Sequence, residues 1–272
     1  MQAVKMNGAG NAFLLIDARI RTVEFDATLV HRLATNEAFD QVLILESSDR
    51  GDARYRIWNR DGTEVGACGN GARCAGWHLM QASGKPVAIL DTAYGLTQAR
   101  QLGKFNVSVD LGPALTNWQE IPLSRVMNTR AMDYELSADG VSVTAPGAVS
   151  MGNPHIVFNV SNLDATPVEK LGKAAERDPL FPEGVNAGFM QVVDRKTIRL
   201  RVWERGAGLT RACGTGAAAA VITGHRQGLL ERDCRVFVDG GELGVHWQQD
   251  NHVWLDGPVE LQGEIDLKEY LK

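Results

Sequence analysis

The chain has 272 residues, 44% of them hydrophobic, and a formal net charge of −5, the make-up of a globular protein of one large or two modest domains. It carries no run of Lys or Arg, which argues against nucleic acid or an anionic membrane as partner. Its longest apolar stretches, 12–16 and 217–222, are far too short to span a bilayer. The opening MQAVKMNGAGNAF lacks the apolar core of a secretory signal, and the four cysteines (Cys68, Cys74, Cys213, Cys234) form no CxxC pair. Free thiols in a reducing cytoplasm are therefore expected.

In chain order, the apolar run at 42–45 reads as a strand. "ARYRIWNR" (53–60) alternates apolar and polar residues with the period of a half-buried strand. A glycine-rich turn carries Cys68, and "GARCAGWHLMQASG" (71–84) then reads as a helix stopped near Gly84. Strands are expected at 87–91 and 107–110 and, beyond a break near Gly112-Pro113, at 156–160. "TIRLRVWER" (197–205) nearly repeats the alternation, a second glycine-rich turn carries Cys213, and "GAAAAVITGHRQG" (216–228) reads as a helix ending near Gly228. Strands at 235–238 and 253–256 follow. Both helices begin with small residues on every face, so each should be closely surrounded by protein.

These elements are one pattern written twice. Trp58, Arg60 and Cys68 recur 145 residues later as Trp203, Arg205 and Cys213, and residues 53–76 share ten identities with their counterparts at that offset. Gly10-Asn11 has a counterpart in Gly152-Asn153, and Gln41 falls opposite Asn186. The reading is a tandem duplication. Residues 1–114 form the half carrying Cys68, with 259–272 returning to it, and residues 115–258 form the half carrying Cys213. The fold class is α/β (α+β), each half a strongly curved sheet wrapped around one helix.

A thiol at a helix N-terminus meets unpaired N–H groups and the positive end of the helix dipole, which favour thiolate and lower its pKa. The same amides can bind a carboxylate where glycines let it approach. Two such thiols suit inversion at a Cα–H centre without a cofactor, one acting as base and the other as acid. No pyridoxal-phosphate lysine is apparent, and His31, His78, His155, His225, His246 and His252 are scattered without metal-ligand spacing. Three other readings fit the same residues: packing thiols in buried helices, a redox pair, and a phosphate site.

"ACGNGARC" (67–74), "GNPH" (152–155), "WERGAG" (203–208) and "ACGTGA" (212–217), in that order, resemble the diaminopimelate epimerase family of cofactor-independent, two-cysteine amino-acid racemases and epimerases. The resemblance implies two barrel-like halves, each around a central helix, with the active site in a cleft. It implies interconversion of LL- and meso-diaminopimelate, in lysine and peptidoglycan precursor synthesis, with no cofactor and no metal. By family convention Cys68 is the proton donor and Cys213 the acceptor, exchanging with direction. His155 and Glu204 match family residues that tune the thiols. Substrate contacts carry over onto Asn11, Gln41, Asn59, Gly69, Asn70, Asn153, Asn186, Glu204, Arg205, Gly214 and Thr215. Arg205 would fork onto a substrate carboxylate and Glu204 would take an ammonium. The expected partner is a small amino acid; oligomeric state stays open, family members often being dimers. Cys74 and Cys234 are read as structural. Three positions depart from the family's common pattern: Ala12, where Asp is frequent; Leu209, where Glu often stands; and Ala219, in place of a frequent cysteine.

Overall fold

The computed structural model describes residues 1–21 and 25–270, so the last two residues of the expected returning segment lie outside the described residues. The chain forms two compact units, Met1–Asp110 with Asp256–Lys272, and Leu111–Leu255.

The first unit runs β1 (Gln2–Gly8), β2 (Asn11–Asp17), α1 (Ala27–Asn36), β3 (Gln41–Glu46), β4 (Ala53–Asn59), β5 (Glu64–Val65), α2 (Gly69–Ser83), β6 (Val87–Thr92), β7 (Gly95–Gly103) and β8 (Asn106–Pro113). β2 pairs antiparallel with β1 and parallel with β3. β4 pairs antiparallel with β3 and β5 and parallel with β6, and the β6–β7–β8 meander is antiparallel. The two parallel steps are the ones that need a crossover, and α1 and α2 supply them.

In the second unit a hairpin, β9 (Glu135–Ala138) and β10 (Val141–Thr144), precedes β11 (Gly147–Ser150), β12 (Pro154–Asn159), α3 (Val168–Glu176), β13 (Asn186–Asp194), β14 (Thr197–Glu204), β15 (Gly208–Thr210), α4 (Gly214–Arg226), β16 (Asp233–Val238), β17 (Gly241–Trp247) and β18 (His252–Pro258). From β11 on, the pairing senses repeat those of the first unit step by step through β17. The registers also correspond. Phe13 stands opposite Gln41 in the first unit, and His155 opposite Asn186 in the second. The chain re-enters the first unit within β18, at Asp256, and β19 (Glu260–Asp266) pairs antiparallel to β1.

Side-chain alternation gives each sheet two apolar faces. In the first unit Leu14, Ile16, Val42 and Ile44 cluster with Leu29, Val30 and Leu33 of α1. In the second, Ile156, Phe158, Ala187 and Phe189 cluster with Val168, Leu171 and Ala175 of α3. The opposite faces enclose α2 and α4. Residues 69–76 of α2 are all buried, and α4 is buried from Gly214 to Gly224. A helix enclosed on all sides favours small side chains, which accounts for the alanine run in α4. Both helices begin two residues earlier than the sequence suggests, directly after the cysteines, and end at Gly84 (φ 71°) and beside Gly228 (φ 83°).

Candidate active site

In each unit the same end of the sheet collects polar side chains beside the N-terminus of the enclosed helix. Cys68 is the N-cap of α2 and Cys213 the N-cap of α4. Each has extended backbone, and each sulfur accepts an N–H three residues on, from Gly71 or Gly216, at 3.3 Å. An N-cap side chain accepting from the third helical residue satisfies one of the orphan amides; here sulfur does what Ser or Asp usually does. All four cysteines are free.

Around Cys68, the first unit brings together the other carried-over residues. Asn70, buried on α2, donates from Nδ2 to Asn11 Oδ1 at the start of β2, at 2.5 Å. Gln41 Nε2 donates to Asn59 Oδ1 at 2.8 Å across the β3–β4 register. Behind the turn, the buried Tyr55 hydroxyl contacts the Cys68 carbonyl at 3.5 Å.

Cys213 has a more enclosed setting. His155, fully buried, sits 3.0 Å through Nε2 from both Asn153 Oδ1 and Thr215 Oγ1. An amide oxygen only accepts, so this contact assigns the proton to Nε2. Burial, aided by the nearby Arg205 charge, pushes the His155 pKa down to about 3, and the ring is neutral at physiological pH. Thr215 Oγ1 lies 3.6 Å from Cys213 Sγ, so His155 reaches the sulfur through the threonine. Glu204, at the end of β14, is hydrogen-bonded to Thr210 and to Cys213, and burial raises its pKa. Asn186 links the neighbouring strands, donating to the Pro154 carbonyl at 2.9 Å and accepting the Arg205 N–H at 2.9 Å. The Arg205 guanidinium is exposed, with Nη1 on the Glu183 carbonyl at 2.6 Å.

The lowering of thiol pKa expected from a helix N-terminus is overturned at Cys213. Burial and the adjacent Glu204 charge raise its pKa well above the ordinary value; Thr215 and the Gly216 N–H oppose them without prevailing. In a dry pocket the cost of desolvating a thiolate exceeds what one helix end returns. Cys74 and Cys234 are pushed up as well, to about 12 and about 11, chiefly by burial.

Tyr55, Thr210 and Arg73 also border these groups and were not singled out from sequence. Arg73 was visible only as one letter of "GARC". Leu209, where a charge is common, leaves its side chain 47% exposed, while Ala219 is fully buried in α4. Among the described residues no group of three His, Cys, Asp or Glu is placed to hold a metal ion, and no helix is long and apolar enough to cross a membrane.

Comparison with known proteins bears on the whole chain. Residues 3–117 and 147–262 match the diaminopimelate epimerase family. The chain is 48% identical over 267 residues to a diaminopimelate epimerase of Phenylobacterium zucineum, covering 96% of each. It is 42% identical over 276 residues to that of Nitrosomonas europaea, covering 98% of this chain and 99% of the other. Among solved structures, a hydroxyproline epimerase of Agrobacterium vitis superposes with a TM-score of 0.70 at 18% identity, covering 97% and 90% of the two chains. A probable proline racemase of Agrobacterium radiobacter superposes at 0.69 and 17%, covering 97% and 92%. These likenesses show the pseudo-symmetric fold of two related halves, and the sequence relatives show the kind of enzyme: the chain is an isomerase and belongs to the diaminopimelate epimerase family.

Proposed function

We propose that the protein interconverts LL- and meso-diaminopimelate by proton transfer at Cα between two thiols, Cys68 and Cys213, without a cofactor. The observation that carries this reading is the doubled N-cap. Two units that differ in many residues keep the same thiol, the same flanking glycines and the same 3.3 Å contact from a glycine N–H to sulfur. The relatives' names supply the substrate.

In the reaction, one sulfur as thiolate takes the Cα proton; the C–H bond breaks and an S–H bond forms. The electron pair left on Cα delocalises into the substrate carboxylate. Amides at the helix N-termini (Gly69 and Asn70, Gly214 and Thr215) and the side chains of Asn11 and Asn153 bind that carboxylate as its charge grows. The other thiol delivers its proton to the opposite face, and the thiols finish with exchanged protonation states. A turnover that starts with Cys213 protonated, as its burial and Glu204 favour, has Cys213 as donor and Cys68 as acceptor. The family convention describes the opposite direction. Neutral His155 orients Thr215, and Glu204 sets the proton affinity of Cys213. Gln41, Asn59, Asn186 and Arg205 recognise the remaining ammonium and carboxylate groups. The place of this reaction is the cytoplasm, upstream of lysine and peptidoglycan precursors.

The test is NMR of the reduced protein with LL-diaminopimelate in D2O, with proline as control. Deuterium entering Cα as the meso isomer appears supports the reading, and so does loss of both in Cys68→Ala and Cys213→Ala. No exchange with fully reduced thiols overturns it.

A further inference from the structure

We propose that Arg73 is a positioning residue that sets the polarity of an amide relay. Its guanidinium holds the Asn70 amide, and Asn70 holds the Asn11 amide, so that Asn11 presents its N–H donors to a substrate carboxylate. The role assigned to Asn11 rests on the epimerase reading above; the relay itself rests on the first unit alone.

Arg73 lies on α2, is fully buried, and donates from Nη1 to Asn70 Oδ1 at 2.9 Å. A guanidinium can only donate, so Asn70 must turn its oxygen toward Arg73 and its Nδ2 toward Asn11. That contact, at 2.5 Å, in turn requires the Asn11 oxygen to face inward. What Asn11 can offer outward is then its Nδ2 hydrogens, the polarity a carboxylate needs. Were both amides reversed, Asn11 would present an oxygen to an anion.

Burying this charge is costly. Among the described residues Arg73 Nε and Nη2 find no acceptor, and desolvation lowers the Arg73 pKa. The charged or titratable groups around it are Cys74 on its own helix, Cys68 at the helix start, Asp256 and, from β4, Tyr55 beside the thiols. Apolar residues of similar volume commonly replace such buried charges without loss of stability. A role in stability therefore accounts poorly for the cost, whereas fixing the amides requires a donor at this place.

The second unit meets the same need differently. There His155 Nε2 holds the oxygen of Asn153, the counterpart of Asn11. In the first unit the position of His155 is taken by Phe13, which can donate nothing, and in the second the position of Arg73 is taken by Ala218. Each unit thus has one buried donor that orients its asparagine, drawn from a strand in one case and from the helix in the other.

The experiment compares wild type with Arg73→Met, Arg73→Lys and Asn70→Asp. It measures deuterium exchange and product formation from LL-diaminopimelate and, in substrate-free 15N-labelled protein, the side-chain NH2 resonances of Asn11. Arg73→Met is expected to lower kcat/KM about 10- to 100-fold, the scale of one charge-assisted hydrogen bond, mainly through KM. Guanidinium at a non-denaturing concentration should restore part of it, and Arg73→Lys should lose less. Asn70→Asp, which cannot donate to Asn11, should lose as much and not respond to guanidinium. In Arg73→Met and Asn70→Asp alike the Asn11 resonances should move. Folded Arg73→Met with kcat/KM within about twofold of wild type, or with a loss that guanidinium does not relieve and Asn11 resonances unmoved, overturns the proposal. Should Arg73→Met not fold, Asn70→Asp decides: an unchanged KM overturns it. A wild type inactive on diaminopimelate overturns the epimerase reading, and the Asn11 resonances still decide the relay.

Discussion

The Tyr55 hydroxyl stands where any side chain on Gly71 would have to go: a Cβ built there lies 2.5 Å from Tyr55 Oη, with Leu43 Cδ2 at 2.9 Å and Cys68 Sγ at 3.4 Å. Gly71 is both the donor to the Cys68 sulfur and a point of close approach between α2 and its sheet. Gly71→Ala should therefore destabilise the protein by about 1–3 kcal/mol, the usual cost of overpacking, and shift Cys68. Urea unfolding reads the first effect and deuterium exchange the second. Tyr55→Phe in the same chain should recover part of the stability. Gly216→Ala meets Val202 Cγ2 at 2.8 Å and should be destabilising too.

A buried neutral histidine makes stability depend on acid. The pKa of His155 falls from an ordinary 6.5 to about 3 on folding, so between those values the unfolded chain binds the proton and the folded one does not. Stability from this site is intact above pH 6.5 and drains away as pH falls toward 3, at up to about 1.4 kcal/mol per pH unit. Denaturant unfolding at a series of pH values should show that slope reduced in His155→Phe, the residue the first unit has at the same place. An unchanged slope would mean that His155 is protonated in the fold.

The Glu204 charge opposes ionisation of Cys213. With Glu204 ionised, a Cys213 thiolate would add a second negative charge beside it. Removing the carboxylate with Glu204→Gln should let Cys213 react with iodoacetamide at a pH lower by about one unit. Epimerisation should nevertheless fall by at least about tenfold, because the tuned acid–base pair is gone. Peptide mapping after alkylation at stepped pH measures the first effect; a midpoint that stays put or rises would refute the electrostatic account.

The other two cysteines should be bystanders. Burial holds Cys74 near 12 and Cys234 near 11, so alkylation of folded protein at pH 8 should spare both. Cys74→Ala should keep near-wild-type turnover at a stability cost of about 1 kcal/mol, since alanine already stands at the equivalent place, Ala219.

What the sequence made legible follows from repetition. The α2 and α4 helices, their glycine stops and the two thiols could be read because the same string occurs twice and the small residues have no other use. The α1 and α3 helices were not legible. At ten and nine residues, with only three or four buried apolar positions each, they give too short a periodic signal. Side-chain orientation was less legible still. Arg205, expected to reach for a carboxylate, has Nη1 on the Glu183 carbonyl. Arg73 carries no signal of its own in the sequence, because its relay runs to Asn11, 59 residues from Asn70 in the chain. Nor could sequence weigh desolvation of Cys213 against the pull of its helix terminus, which depends on how completely the pocket closes over it.

β1 takes β19 as one neighbour, so the first unit is sewn from segments separated by the whole of the second. Leu111–Leu255 is one uninterrupted stretch of chain, whereas β1 cannot complete its pairing until β19, beyond that stretch, has been made. The first unit is therefore completed only after the second has been synthesised. In that interval β1 is the strand most exposed to mispairing, and ribosome stalling or truncation before residue 260 should yield a folded second unit attached to an aggregation-prone first.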